Sequence, residues 1–363
     1  MSAGRVTNMN WKWLLQATSS SSLKTKLSLI RESLPKLGKA DDTIRCMVCP
    51  NMCLHACPVF DVERRLTVSP SIKSRLAFLA PSEAGDNLWR CVPCDACRES
   101  CPMNISVNEN LRRERELLCG GNTEPEAVKK AFVSHEMRIK EIKKNFDYEE
   151  REGKLLYFPG CKTLEVPEIV RATVKILNHL RLDYALKKDI LCCGAYLREL
   201  GYLSQYREHI AAMKDLKGYE GVISNCPHCV QVLQEDYGIR AVHISKVIAD
   251  SLPSFNFERV SGRVVYHDPC ILSRKLGIYD EPRTILRKFG FEISEPVHSK
   301  RNTYCCGFGG VYPYIDISSA TLMAEKRKNE LAEQSHTILT FCPSCRRALS
   351  AKDVTELIAE WLG

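Results

Sequence analysis

The chain has 363 residues, enough for two or three domains, and 44% of them are apolar, enough to build a core. No apolar run approaches the roughly 20 residues of a membrane span, and "MSAGRVTNMNWKWLLQATSSSS" is too polar for a secretory leader. The net charge of +8 (52 minus 44) fits an acidic protein partner or an anionic substrate, and no nucleic acid is expected.

Cysteine is the outlier, with 19 copies. Disulfide scaffolds are usually short and exported, and an odd total argues against complete pairing. In a reducing compartment such a count points to metal or redox chemistry.

Residues 1–45 carry eight Lys or Arg against three Asp or Glu, with Trp11 and Trp13, and read as a basic N-terminal extension. Next comes "CMVCPNMCLHACP", with Cys46, Cys49, Cys53 and Cys57 before Pro58. The run "CVPCDACRESCP" follows, with Cys91, Cys94, Cys97 and Cys101 before Pro102. The second run matches the ferredoxin spacing C-x2-C-x2-C-x3-C-P, and the first departs from it by one residue. In that arrangement three thiolates wrap one cubane and the fourth leaves for the other. Exchange assigns Cys46, Cys49, Cys53 and Cys101 to one [4Fe-4S] cluster, and Cys91, Cys94, Cys97 and Cys57 to the second. Zinc knuckles, the bland alternative, usually separate their two cysteine pairs by a longer spacer. His55, inside the first run, reads as a surface residue. Around these runs "SIKSRLAFLA" and "VNENLRRERELLC" look helical, so residues 46–119 form an α-helical domain. Cys119 reads as a spare thiol at a helix end. Residues 120–153, charged and poor in strand signals, read as a helical connector.

The pattern C…CCG…CPxC then occurs twice. It is carried first by Cys161, Cys192, Cys193, Cys226 and Cys229, then by Cys270, Cys305, Cys306, Cys342 and Cys345. An offset of just over 100 residues marks two homologous lobes, at 154–260 and 261–363. "KLLYF", "GVIS", "GRVVYH" and "HTILTF" read as buried strands. Val166, Ile169, Val170, Val174, Leu177 and Leu180 recur at helical spacing between the first two. Alternating strands and helices imply an α/β layer with largely parallel strands and ligands at the carboxyl ends. The Cys-Pro-x-Cys turns are expected to open helices, whose N-termini favour thiolates. Lys162 and Arg346-Arg347 could offset cluster charge, though a surface role is the simpler reading. Gly194, Gly307, Gly309 and Gly310 would let backbone approach a bulky inorganic body. Adjacent cysteines cannot comfortably chelate one ion, but they can hold two irons of one multi-iron body.

The C…CCG…CPxC repeat resembles the cysteine-rich CCG domains of heterodisulfide reductase. The ferredoxin pair, with its long gap, looks like the α-helical ferredoxin module of those proteins. Both together resemble the D subunit of heterodisulfide reductase, and are similar to the iron–sulfur subunits of glycolate oxidase and anaerobic glycerol-3-phosphate dehydrogenase. The resemblance implies an α-helical ferredoxin module followed by two repeated α/β CCG lobes. It implies one or two noncubane [4Fe-4S] clusters, one per cysteine quintet, besides the two cubanes. Cys192, Cys193, Cys305 and Cys306 would form the catalytic centre, cleaving a small thiol/disulfide substrate. The rival role is electron transfer alone, linking a flavoprotein dehydrogenase to a membrane cytochrome or quinone-linked partner. A zinc-stabilised binding module is the alternative from another class. The expected location is cytoplasmic, at the inner face of the membrane through a partner.

Overall fold

The computed structural model describes residues 41–255 and 262–362, with Leu27 alone before them. The basic extension as far as residue 40 otherwise lies outside the described residues.

The first module is helical. It comprises α1 (Asp41–Val48), α2 (Pro58–Glu63), α3 (Pro70–Leu79) and α4 (Val107–Leu118), with a longer link between the last two that carries single helical turns such as Ala96–Glu99. Proline opens α2 and α3, where its missing N–H costs nothing. The connector is α5 (Glu126–Lys144), which presents Val128, Ala131 and His135 to the core.

The first lobe contains β1 (Leu155–Tyr157), α6 (Pro167–His179), β2 (Tyr184–Ala185), α7 (Ala195–Leu200), α8 (Leu203–Ala212), β3 (Gly221–Ser224), α9 (Pro227–Glu235), β4 (Ala241–His243) and α10 (Ile244–Asp250). The second contains β5 (Gly262–Tyr266), α11 (Asp280–Lys288), β6 (Phe291–Ser294), α12 (Ile317–Ala332), β7 (Ile338–Thr340), α13 (Pro343–Leu349), β8 (Lys352–Asp353) and α14 (Val354–Trp361). The sheets are ordered β2-β1-β3-β4 and β6-β5-β7-β8, every pairing parallel. Identical order in both confirms the repeat read from the cysteines. In each sheet the order reverses between the first and third strands, the place where a parallel sheet opens a crevice at its carboxyl edge. The expected strands and helices form, and α6 buries Ile169, Val170, Ile176 and Leu177. Val174 and Leu180 are only half-buried.

The lobes share a core. Helix α6 packs on α14, and α10 on α11. In repeat terms these are the same contact made twice, with the lobes exchanged, which is the signature of a pseudo-twofold axis. Tyr157, Ile176, Leu177, Ile244 and Ile248 of the first lobe join Tyr266, Ile285, Phe341, Val354 and Ile358 of the second in one buried cluster.

The helical module docks on both lobes. Toward the first, the Trp89 indole donates to Leu200 O (2.7 Å), and buried Arg115 donates to Leu88 O and to Glu199 O (2.7 Å). Toward the second, Arg90 pairs with Asp316 (2.6 Å), and Tyr304 and Lys326 both reach Asp61.

Candidate iron–sulfur centres and the cysteine-lined cavity

The strand ends deliver the cysteines. Cys161 follows β1, Cys226 follows β3, Cys270 follows β5 and Cys342 follows β7. Cys226 and Cys342 cap helices α9 and α13, each with proline at the first helical position. The Cys-Pro-x-Cys turns therefore open helices as their sequence dictates.

The paired cysteines diverge in both lobes, and in the same way. Cys192 meets Cys161, and Cys305 meets Cys270 at 3.8 Å. Cys193 meets Cys229, and Cys306 meets Cys345 at 3.4 Å. The amide of the following glycine faces the first sulfur of each pair, Gly194 N to Cys192 (3.4 Å) and Gly307 N to Cys305 (3.5 Å). Neighbouring side chains thus reach different partners, as two corners of one polynuclear body require. No disulfide links any of the 19 cysteines.

In the helical module, Cys46, Cys49, Cys53 and Cys101 line one small cavity, together with Cys97. Cys57, Cys91, Cys94 and Cys97 sit close enough to perturb one another. The cysteines of each exchanged set thus lie near one another, with Cys97 touching both groups. Arg75 holds the first loop by donating to Cys46 O (2.8 Å) and Cys49 O (2.9 Å). Buried Lys73 donates to Arg90 O and leaves its charge beside Cys57 and Cys91. His55 is exposed, and the half-buried Cys119 thiol donates to Leu200 O (3.1 Å), outside every group.

Burial pushes the bare Cys46 and Cys57 thiols up to about 11. Metal must therefore displace protons to bind them. Cys161 is held down to about 7, first by a hydrogen bond from Cys192, then against burial by the charges of Arg138 and Lys162. Cys94 is lowered to about 6, chiefly by its side-chain hydrogen bond with Cys305, beside which it packs. That contact joins the helical module directly to the second lobe.

The donor set and spacing fit iron–sulfur centres. Among the described residues only His267, Cys306 and Cys345 bring three potential donors within 4.8 Å of one another. The other thiol groups are spread more widely than a zinc ion with Zn–S bonds of about 2.3 Å would draw them.

Nine of the ten quintet cysteines line one cavity between the lobes. Cys161, Cys192, Cys193, Cys226 and Cys229 form one side, and Cys270, Cys306, Cys342 and Cys345 the other. Cys305 is turned away, against Cys270 and Cys94. The cavity continues into a surface groove of about 1350 Å³, with Arg138, Lys162, Phe308 and Ser344 lining both. At their junction Glu165 is paired with Arg138 (3.1 Å), Lys162 (3.4 Å) and Arg347. Three cations share one carboxylate, leaving positive charge at the mouth.

Three expectations need correction. Lys162 is part of the cavity wall, not simply a surface charge, while Arg346 turns to Glu356 (3.0 Å). Three of the glycines thought to make room for a cluster make room for protein. A Cβ at Gly194 would meet His209, one at Gly307 the Ala320 carbonyl, and one at Gly310 the Pro93 ring, each within 2.8 Å. The glycine that faces the thiols is Gly160 (φ +77°), where a Cβ would stand 2.7 Å from Cys229 Sγ. Residues missed from sequence are His135 and Arg138 of the connector and His267 of the second lobe. His267 alone had a signal, lying within "YHDPC".

Comparison with known proteins agrees with this architecture. Residues 155–234 and 264–350 each match the cysteine-rich domain family CCG, and residues 42–105 match a 4Fe-4S dicluster domain. The B subunit of fumarate reductase (CoM/CoB) from Methanothermobacter marburgensis is 26% identical over 84% of this chain and 66% of its own. The D subunit of dihydromethanophenazine:CoB–CoM heterodisulfide reductase from Methanosarcina barkeri is 26% identical over 78% of this chain and 81% of its own. EtfAB:quinone oxidoreductase of Syntrophomonas wolfei is 24% identical over 77% of this chain and 44% of its own. The chain thus spans just under two thirds of the first and less than half of the last. Among the described residues no helix is long and apolar enough to cross a membrane.

Proposed function

We propose a function from one premise: the chain is a CCG-domain iron–sulfur protein, similar to the D subunit of heterodisulfide reductase, with a 4Fe-4S dicluster domain ahead of two cysteine-rich domains. In this reading it carries electrons within an oxidoreductase complex and hands them to a thiol/disulfide substrate in the cavity between the lobes. The domains would run 46–119, 120–153, 154–260 and 261–363.

Two [4Fe-4S] clusters would be held by Cys46, Cys49, Cys53 and Cys101 and by Cys91, Cys94, Cys97 and Cys57. Each quintet would hold a further, noncubane centre. When bound, these groups supply one-electron storage. The chain's own residues do the rest. Lys73 balances thiolate charge, the Cys94–Cys305 contact joins the modules, and the closed lobes keep bulk water from the sulfurs. Cleaving a disulfide takes two electrons and two protons and yields two thiols. A flavoprotein or other dehydrogenase partner would supply the electrons, at the inner face of the membrane or in the cytoplasm. The single observation that carries this reading is that cysteines of both quintets, nine of the ten, open on the same cavity. Cys192, Cys193 and Cys306 line it and are the proposed catalytic residues, with Cys305 on the electron-entry side. The cations at the mouth favour an anionic substrate.

The name of one relative, an EtfAB:quinone oxidoreductase, supports a second reading, a relay to quinone without a substrate site of its own. Protein purified without oxygen, analysed for iron, sulfide and zinc, then chemically reduced, separates these. Disulfide-dependent reoxidation that Cys306→Ala abolishes, while the ferredoxin-type clusters still accept electrons from an artificial donor, is the expected result. Reoxidation by quinone alone would establish the relay. About four zincs without iron would sink both readings, since each tetrahedral zinc needs four ligands.

A further inference from the structure

Each quintet has a buried imidazole beside it, and the two come from unrelated places in the chain. His267 follows strand β5, where the first lobe carries Phe158 at the matching position after Tyr157. The first lobe obtains its imidazole from outside the repeat, from His135 on the connector α5. Both are at most 2% exposed.

Both rings turn Nδ1 to an arginine. His135 Nδ1 lies 2.7 Å from Arg138 Nη2, and its Nε2 lies 3.8 Å from Cys192 Sγ. His267 Nδ1 lies 3.1 Å from Arg327 Nε. Its Nε2 has no hydrogen-bond partner among the described residues, and a ring nitrogen lies within 4.8 Å of the Cys306 and Cys345 sulfurs. A guanidinium only donates, so the Nδ1 facing it must carry the lone pair. In a neutral imidazole the proton then sits on Nε2, the nitrogen that faces sulfur. With its lone pair turned to arginine, neither ring offers Nε2 as a metal ligand. Each offers an N–H.

We propose that His135 and His267 are matched N–H donors to the sulfurs of Cys192 and Cys306, fixed in that tautomer by Arg138 and Arg327, and that they raise the reduction potentials of the two lobes' centres. This rests on the reading that the quintets hold iron–sulfur groups. An N–H aimed at a ligating sulfur stabilises the more negative, reduced state, and hydrogen bonds to sulfur are among the levers that set such potentials. Histidines kept only for packing would not need the same nitrogen turned to sulfur in both lobes, from two separate origins. Arg138 and Arg327 are positioning residues, acting through the rings they orient.

The test is a potentiometric titration of the anaerobically purified holoprotein, followed by electron paramagnetic resonance. His267→Phe places in the second lobe the residue that the first lobe tolerates there. It is expected to change the oxidised-to-reduced ratio of one CCG-lobe centre about tenfold at fixed potential, equivalent to about 59 mV downward for one electron. The ferredoxin-type signals should not move. His135→Phe should do the same to the other lobe's signal, and His267→Gln, which restores an N–H, should recover much of the shift. Deuterium exchange should shift the iron–sulfur stretching bands of the unmodified protein, a readout that packing alone would not move. If His267→Phe loses its cluster, Arg327→Met, which frees Nδ1, reads the same potential. Unmoved potentials with iron and sulfide intact would overturn the proposal alone. Unmodified protein with no iron or sulfide in the lobes would overturn the underlying reading with it.

Discussion

Cys94 serves two neighbours. It belongs to the second ferredoxin run, yet it packs and interacts with Cys305 in the second lobe. From the runs alone, replacing it would disturb only one cluster. The contact predicts otherwise. Cys91→Ser and Cys94→Ser should each remove one ferredoxin-type paramagnetic signal, and only Cys94→Ser should also alter a CCG-lobe signal. Identical spectra from the two variants would mean that the contact does not couple the centres. A second residue sets a pH dependence. Burial, with the nearby Glu356 adding to it, raises the Asp353 carboxyl from 3.8 to about 7, although Thr355 donates to it through N (3.0 Å) and Oγ1 (2.6 Å). A folded-state pKa above the unfolded one gives stability that is complete below pH 3.8 and lost as pH rises through 7. Asp353→Asn keeps the cap acceptor and removes the ionisation. Relative to the unmodified protein, its thermal stability should rise as pH goes from 3.8 to about 7 and then level off, a change of at most about 4 kcal/mol for a shift of about three units.

At the scale of elements, the join between α4 and α7 depends on one side chain. Arg115 is fully buried, bridges Leu88 O to Glu199 O, and lies 3.6 Å from the Glu199 carboxylate. Glu199 is held down to about 2, against its own burial, by Arg112, Arg198, His228 and Arg115. Removing one partner leaves the other charges buried with incomplete compensation, which usually costs about 3–5 kcal/mol. Arg115→Ala should therefore lower the holoprotein's unfolding temperature. It should also open the segment around residues 119–125 to limited proteolysis. A variant as stable and as protease-resistant as the parent would show that the module docks by its apolar contacts alone. Gly201 belongs to the same joint. Its φ is +107°, and a Cβ there would strike the Arg115 backbone at 2.7 Å, so Gly201→Ala should act in the same direction. The connector α5 does more than span a gap. It brings His135 and Arg138 to the cavity, so its length and phase belong to the site.

Over the whole molecule, the duplicated lobes form one folding unit. Helices α6 and α14, and α10 and α11, bury apolar faces that belong to different lobes. A chain ending at residue 260 would expose Tyr157, Ile176, Leu177 and Ile248. It is expected to bind a hydrophobic dye and to lack a cooperative thermal transition. A sharp transition in that fragment would mean that the lobes fold independently. The shared core also explains the single cavity. Two crevices at the carboxyl edges of parallel sheets, related by a pseudo-twofold axis, face each other and close into one chamber.

The sequence by itself determined the class of chemistry and the order of the parts. Local spacing sufficed for that, since a Cys-Pro-x-Cys turn, a ferredoxin run and a buried strand are each defined within about a dozen residues. The repeat was legible because cysteine is rare enough for its pattern to stand out. Tertiary structure decided what depends on distance across the chain. It turned Cys305 toward Cys94 and away from the cavity, packed Gly194 and Gly307 against protein, and brought His135 from a charged helix to Cys192. None of these had a sequence signal, because a side chain's partner is set by which surfaces the two lobes and the helical module bury together. A lone histidine on an amphipathic helix reads the same whether it meets solvent, a core or a sulfur.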